Sequence, residues 1–313
     1  MKILFIDSAH SSLKKELRKH SIICDEDFTS SKSDIEKKIS SYDGIILRSR
    51  FNIDKKFIDA AASLGFIARA GAGMEHIDVS YAEKKGIKCI SSPEGNNNAV
   101  AEHALGMLLS LSNNVCKANT EVKNGKWIRE ENRGEELQGK TIGIYGYGNT
   151  GAAFAKILKG FDLKLLAYDK YKNIFGSEFV KESSTEEIFI QADVLSLHLP
   201  LTDETKYLVN DAFISKFKKN IYLINTSRGP IVKTDDLAKN LKSGKVLGAC
   251  LDVLEYEETS FQFLSASCKG QDSFQYLKSS DKVILTPHIA GWSFESSEKI
   301  AKILAEKIIS IAK

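Results

Sequence analysis

No stretch of this sequence approaches the ~18 consecutive apolar residues that a membrane-spanning helix needs, so no membrane role is expected. The opening "MKILFIDSAH" carries an apolar run that stops at Asp7, too short for a signal peptide. Cysteine is sparse and unpaired in pattern: Cys24, Cys89, Cys116, Cys250 and Cys268 are odd in number and show no CxxC spacing. That arrangement suits neither a disulfide framework nor a metal site. Cys24, Cys89 and Cys250 lie in apolar strand-like runs, where a free thiol behaves as a small hydrophobe, and a reducing cytoplasm is the expected compartment. Neither sign of charge dominates, with 44 basic against 41 acidic residues and a net charge of +3. Runs such as Lys14-Lys15-Glu16-Leu17-Arg18-Lys19 read as the wet face of a helix, so no nucleic-acid partner is expected. No repeat or low-complexity tract interrupts the chain.

What is present is an alternation. The 313 residues suggest about two domains. Short apolar runs ("KILFI", "GIILR", "FIAR", "IKCI") alternate with amphipathic stretches of helix length, the pattern of a parallel sheet with right-handed crossovers. Ser33-x-x-Glu36 reads as a capping box that opens the second helix. The turn chemistry of Ser92–Asn98 marks a domain boundary, and its three asparagines supply a helix N-cap. The helix beyond it places Val100, Ala104, Leu108, Leu111 and Val115 along one face. A second series follows: "TIGIY", "KLLAY", "DVLSLHL", "IYLIN", "VLGACLD" and "VILT", with Ser184-x-x-Glu187 capping one of the helices. The polar-aromatic stretch from Glu258 to Asp281 has no readable role.

"GYGNTG" follows the first strand of that second series and opens a helix. Gly146 allows a tight turn, Gly148 lets the backbone approach a pyrophosphate, and Gly151 lets helix and strand pack closely. Asn149 and Thr150 begin the helix, whose N-terminal N–H groups and positive dipole end suit phosphates. Asp169 ends the next strand, about twenty residues on, where a carboxylate accepts the ribose hydroxyls and repels the extra phosphate of NADP. The loop is therefore expected to hold NAD.

In open α/β sheets ligands sit beyond the carboxyl ends of the strands. Arg228 in "INTSRGPIV", Asp252 and Glu257 in "CLDVLEYEE", and His288 in "ILTPHIAGW" all follow strands of the second series. An arginine fork, a carboxylate and an imidazole beside a nicotinamide suit hydride transfer at a 2-keto acid. Arg228 would grip the substrate carboxylate and polarise the carbonyl. His288 would exchange the proton, and Glu257 would orient the imidazole and favour its charged form. Glu255 is the alternative carboxylate. His10, His20, His76 and His103 read as surface, packing or capping residues, and His198, before Pro200, as a residue lining the cofactor site.

"GYGNTG", "NTSRGP", "LDVLEYE" and "TPHIAGW", in this order, resemble the D-isomer-specific 2-hydroxyacid dehydrogenase family from about Gly44 to the C-terminus. The resemblance implies an α/β fold of two doubly wound parallel-sheet domains. A Rossmann-type NAD domain (96–288) would be inserted in a flavodoxin-like substrate domain (1–95 and 289–313). It implies cofactor contacts from Gly146, Gly148, Asn149, Thr150, Gly151, Asp169, His198, Pro200, Thr226, Asp252 and Gly291, with Asp252 on the nicotinamide carboxamide. Substrate carboxylate binding would fall to backbone N–H groups near Ala72 and Gly73, and a homodimer would form through an arm that includes Trp127. Glu258 stands where the family often has a proline. Arg48 and Arg50 in "ILRSRFNID" are similar to the 3-phosphoglycerate dehydrogenases of the family and would grip a substrate phosphate. The expected reaction is oxidation of D-3-phosphoglycerate, in a short form without a regulatory domain. Reduction of glyoxylate or hydroxypyruvate is the alternative, and an NAD-sensing corepressor the reading from another class.

Overall fold

The computed structural model describes residues 1–258, 264 and 271–312. They form two compact units, 1–97 with 292–313, and 98–258 with 263–291. The first unit runs β1 (Lys2–Phe5), α1 (Ser11–Lys19), β2 (Ile23–Glu26), α2 (Lys32–Lys38), β3 (Gly44–Leu47), α3 (Lys55–Ala60), β4 (Phe66–Arg69), α4 (Val79–Lys84) and β5 (Lys88–Ile90). Its strands are all parallel, in the order β2-β1-β3-β4-β5, which is the flavodoxin-like arrangement.

The second unit holds α5 (Asn97–Ser112), α6 (Val115–Lys123), β6 (Thr141–Tyr145), α7 (Asn149–Leu158), β7 (Lys164–Tyr168), β8 (Lys181–Glu182), α8 (Thr185–Gln191) and β9 (Val194–Leu197). It continues with α9 (Asp211–Ser215), β10 (Ile221–Asn225), α10 (Thr234–Ser243), β11 (Val246–Leu251), α11 (Asp272–Ser279) and β12 (Val283–Leu285). Its seven strands lie β12-β11-β10-β9-β6-β7-β8, again all parallel. Counted from β6, the first six positions follow the Rossmann order 3-2-1-4-5-6, with the chain reversing direction across the sheet between β6 and β9. The last helix, α12 (Phe294–Ala312), belongs to the first unit, where Leu304, Ala305 and Ile308 pack with Leu13, Leu17 and Phe5. Truncating one of these leucines to alanine costs about 2–5 kcal/mol, so α12 is part of that unit's core.

Three local expectations are corrected. The second helix is capped by Ser31, whose hydroxyl accepts from Asp34 N–H at 3.2 Å, so Ser33 and Glu36 form no capping box. The long helix after the asparagines begins at Asn97 and ends at Ser112, and Asn114 then turns into the left-handed region (φ +53°). Val115 consequently starts α6 and is exposed instead of lining the buried face with Val100, Ala104, Leu108 and Leu111. The second sheet also has a strand beyond the six read from the sequence, the two-residue β8, both of whose residues are exposed. Ser184, by contrast, caps α8 through Glu187 N–H as its spacing predicted. Of the stretch from Glu258 to Asp281, residues 259–263 and 265–270, with Cys268 among them, lie outside the described residues. The rest includes α11, which buries Phe274 and Leu277. Among the described residues no helix is long and apolar enough to cross a membrane, and no cluster of His, Cys, Asp and Glu is suited to a metal.

Candidate active site

β6 is buried at every residue and ends at Tyr145. Gly146 then takes φ +97°, and a Cβ there would lie 2.3 Å from the carbonyl oxygen of His198, so only glycine fits. A Cβ on Gly151 would meet the Gly146 carbonyl at 2.1 Å, which is the close helix–strand approach the loop needs. Gly148 and Asn149 are exposed, and Gly148 caps α7 without any side-chain hydrogen bond. The helix N-terminus is thus left to a ligand. Asp169 follows β7, and its carboxylate is held by backbone N–H groups: Oδ2 accepts from Tyr147, and Oδ1 from Tyr171 and Lys172. Lys170 is drawn away to Glu204 at 2.6 Å.

Thr226, just past β10, is buried, and its hydroxyl has no hydrogen-bond partner. A buried polar group left unmade is costly, and a cofactor group would satisfy it. The open helix end, the glycine cradle and this hydroxyl fit a dinucleotide. His198 is buried between Ser196 Oγ (2.8 Å from Nε2) and Thr150 Oγ1 (3.3 Å from Nδ1). Burial pushes its imidazole down to about 3, so it stays neutral and braces the glycine loop. Pro200 follows it, its carbonyl accepting from Thr205 Oγ1.

Three of the candidate residues come from adjacent parallel strands. Arg228 follows β10, Glu257 follows β11 and His288 follows β12, so all leave the same sheet edge. The Arg228 loop is pressed against its neighbour, because a Cβ on Gly229 would lie 1.9 Å from the Leu254 carbonyl oxygen. Asn225 Nδ2 donates to the Arg228 carbonyl and Arg228 Nη1 to the Ser227 carbonyl, which fixes both ends of the residue. His288 Nδ1 stands 2.7 Å from Glu257 Oε2, while Glu257 Oε1 accepts from Leu254 N–H. A carboxylate only accepts, so Nδ1 carries the proton and Glu257 sets the tautomer of the ring. Glu255 is committed elsewhere: it accepts from the Tyr207 hydroxyl at 2.8 Å and from Thr234 N–H at 2.9 Å. The carboxylate beside the imidazole is therefore that of Glu257.

His288 itself adopts φ +56°, a strained region that a non-glycine residue occupies only when its surroundings impose it. Asp252 imposes it. Its carbonyl accepts from His288 N–H at 2.7 Å, and its carboxylate accepts from Ile289 N–H, Ala290 N–H and the Thr286 hydroxyl. The side chain is fully shielded from solvent, and in this conformation the carboxylate holds the 286–291 loop, which ends at Gly291. Burial works to raise it, but His103, Thr286 and the two N–H groups outweigh burial and hold it below the usual carboxylate range. His103 was not read from the sequence as a participant. No local motif marks it, since its partner Thr286 is 183 residues away.

In the first unit, Ala72 and Gly73 follow β4 in a loop whose Gly71 carbonyl accepts from Ser92 N–H. Arg48 and Arg50 follow β3, but their fates differ. The Arg50 guanidinium donates to the carbonyls of Ile6 (2.9 Å), Asp27 (2.7 Å) and Ser30, so it fastens neighbouring loops and is not the second half of a phosphate grip. Arg48 lies half-buried over the Trp292 ring, 4.2 Å from its centroid, and burial lowers its pKa.

Comparison with known proteins agrees with this geometry. Residues 105–290 match the family described as D-isomer specific 2-hydroxyacid dehydrogenase, NAD binding domain. Over 279 residues the chain is 35% identical to a hydroxypyruvate reductase of Thermotoga maritima, covering 88% of this chain and 87% of that protein. It is 32% identical to a D-3-phosphoglycerate dehydrogenase of Archaeoglobus fulgidus along its whole length, which spans 58% of that protein. Among solved structures, a D-lactate dehydrogenase of Aquifex aeolicus complexed with NAD and lactic acid superposes with a TM-score of 0.82 at 28% identity, over 100% of this chain and 95% of that one. With glycine loop, acid, arginine, glutamate and histidine all in their strand-end places, the chain belongs to the D-isomer-specific 2-hydroxyacid dehydrogenase family and carries its NAD-binding domain.

Proposed function

We propose that this chain interconverts a D-2-hydroxy acid and its 2-keto acid, with Arg228, Glu257 and His288 as the catalytic residues. The 2.7 Å contact between His288 Nδ1 and Glu257 Oε2 carries the reading, because a proton-transferring imidazole needs its ring oriented and its tautomer fixed. NAD, held by the 146–151 loop, Asp169 and Thr226, supplies the hydride chemistry. Arg228 binds the substrate carboxylate bidentately and draws electron density from the carbonyl. In the reducing direction, His288 Nε2 gives its proton to the carbonyl oxygen, while Glu257 holds the ring in place through Nδ1. In the oxidising direction the same nitrogen takes the hydroxyl proton.

D-3-phosphoglycerate is the proposed acid, supported by Arg48, a half-buried guanidinium stacked on Trp292 just past a strand end. A second reading, reduction of glyoxylate or hydroxypyruvate, is favoured by Arg50, whose commitment to backbone carbonyls leaves a single arginine for a phosphate. The test is a panel of 2-hydroxy acids with NAD and 2-keto acids with NADH. Turnover of D-3-phosphoglycerate well above glycerate supports the first reading, turnover confined to glyoxylate and hydroxypyruvate the second, and inertness toward every acid removes both. We also propose a homodimer: α6 has no buried residue, Val115 and Val122 on it are half-exposed, and Trp127 beyond it is 81% exposed. Light scattering at micromolar concentration decides it. A cytoplasmic location is supported by the free thiols of Cys24, Cys89, Cys116 and Cys250.

A further inference from the structure

We propose that His103 is a positioning residue for the reaction, acting through Thr286 and Asp252 to hold the 286–290 loop and with it the His288 imidazole; this rests on the reading of His288 given above.

Thr286 has one hydroxyl hydrogen, and its 2.6 Å contact with Asp252 Oδ1 uses it. The 3.0 Å contact between Thr286 Oγ1 and His103 Nε2 must then run the other way, with Nε2–H as donor. His103 Nε2 also lies 3.5 Å from Asp252 Oδ1. A helix residue thus presents a fixed N–H to the threonine and carboxylate that organise the strained loop. The remaining capacity of that carboxylate goes to Ile289 and Ala290 N–H, the two residues directly after His288.

A buried carboxylate is tolerated only when its oxygens are satisfied. Removing the His103 donor leaves Thr286 Oγ1 short of a partner and frees the threonine to rotate away from Asp252. Because His288 sits at φ +56°, a loosened loop relaxes toward ordinary backbone angles, and the imidazole leaves its place. Misplacement of a reacting group by about 1 Å can cost roughly a hundredfold in rate.

The test uses the whole chain and three variants. Glutamine can place an amide N–H where His103 Nε2 lies, whereas phenylalanine keeps the ring shape without a donor. His103→Asn, whose amide is too short to reach Thr286, replaces the phenylalanine variant if that one does not fold. The first readout needs no substrate: amide hydrogen exchange of the 286–291 segment. It is expected to quicken roughly tenfold in His103→Phe and to stay near the parent rate in His103→Gln. The second is steady-state kinetics with the best acid of the panel. His103→Phe should lower kcat by roughly ten- to a hundredfold with NADH affinity and substrate KM little changed, and His103→Gln should recover most of kcat. Equal exchange in all variants overturns the proposal, as does equal impairment of the glutamine and phenylalanine variants, which would mark His103 as a packing residue. If the parent turns over no acid, the proposed function falls, and hydrogen exchange alone still decides whether His103 holds the loop.

Discussion

Both sheets are parallel, and both carry arginines just past the carboxyl end of a strand, yet the two sets are used differently. In the second unit Arg228 has its backbone clamped by Asn225 and the Gly229–Leu254 contact, and its Nη1 donates to the carbonyl of the adjacent Ser227. In the first unit Arg50 spends its guanidinium on three backbone carbonyls, while its neighbour Arg48 rests on an indole face. Position at a strand end therefore places a residue near a ligand site, but it does not say whether the side chain is available. That is decided by the loops nearby, through which of their carbonyls accept from the side chain: those of Ile6, Asp27 and Ser30 for Arg50, that of its own chain neighbour for Arg228.

The same contrast appears between the two glutamates after β11. Glu257 faces His288, whereas Glu255, two residues earlier, is claimed by Tyr207 and Thr234. Glu257→Gln should lower kcat by about a hundredfold, since an amide, which can donate as well as accept, no longer fixes the Nδ1 proton and the ring's orientation. Glu255→Gln should change kcat little and show instead as a lower melting temperature. The reverse pattern in kinetics and melting curves would return the role to Glu255.

Arg48 and Arg50 give the next largest effect. Arg48→Ala should weaken use of D-3-phosphoglycerate by roughly ten- to a hundredfold, the size of one charge-assisted bond, and leave glyoxylate almost untouched. Arg50→Ala should affect all acids alike and cost about 2–4 kcal/mol of stability, because three carbonyls lose a charged donor. Denaturant melts and a two-substrate comparison on both variants separate these outcomes. Equal losses on both acids in Arg48→Ala would make it a loop support as well.

Much of this was legible in the sequence because the physics is local. The glycine loop needs three residues at fixed spacing, and Gly146, Gly148 and Gly151 supply them. Arg228, Glu257 and His288 follow apolar runs long enough to read as strands. What escaped notice has no local signal. β8 is two exposed polar residues, Lys181 and Glu182, recruited by pairing with β7 and not by any apolar pattern. The cap at Ser31 and the nearby Ser33 look alike as text, and the choice is made by which hydroxyl meets an N–H. His103 and the commitment of Arg50 depend on partners far along the chain, visible only once the units are folded.

His198 gives the smallest expected effect. Its ordinary value of 6.5 falls to about 3 in the folded chain. Across that window the unfolded chain holds a proton that the folded one refuses, so stability declines as pH falls below about 6.5, by at most about 1.4 kcal/mol per pH unit. Melting temperatures taken from about pH 7 down to about pH 5 should fall less steeply in His198→Gln than in the parent. Parallel curves would mean that His198 does not contribute to acid sensitivity.

The central claim is that the proton passes through His288, and the most direct measurement is kcat for His288→Asn beside a titration of NADH binding to the same variant. NADH affinity should stay close to that of the parent and turnover should fall by roughly 10²–10⁴, the usual contribution of a general acid–base group. Near-parental turnover in that variant would contradict it and move the proton to another residue.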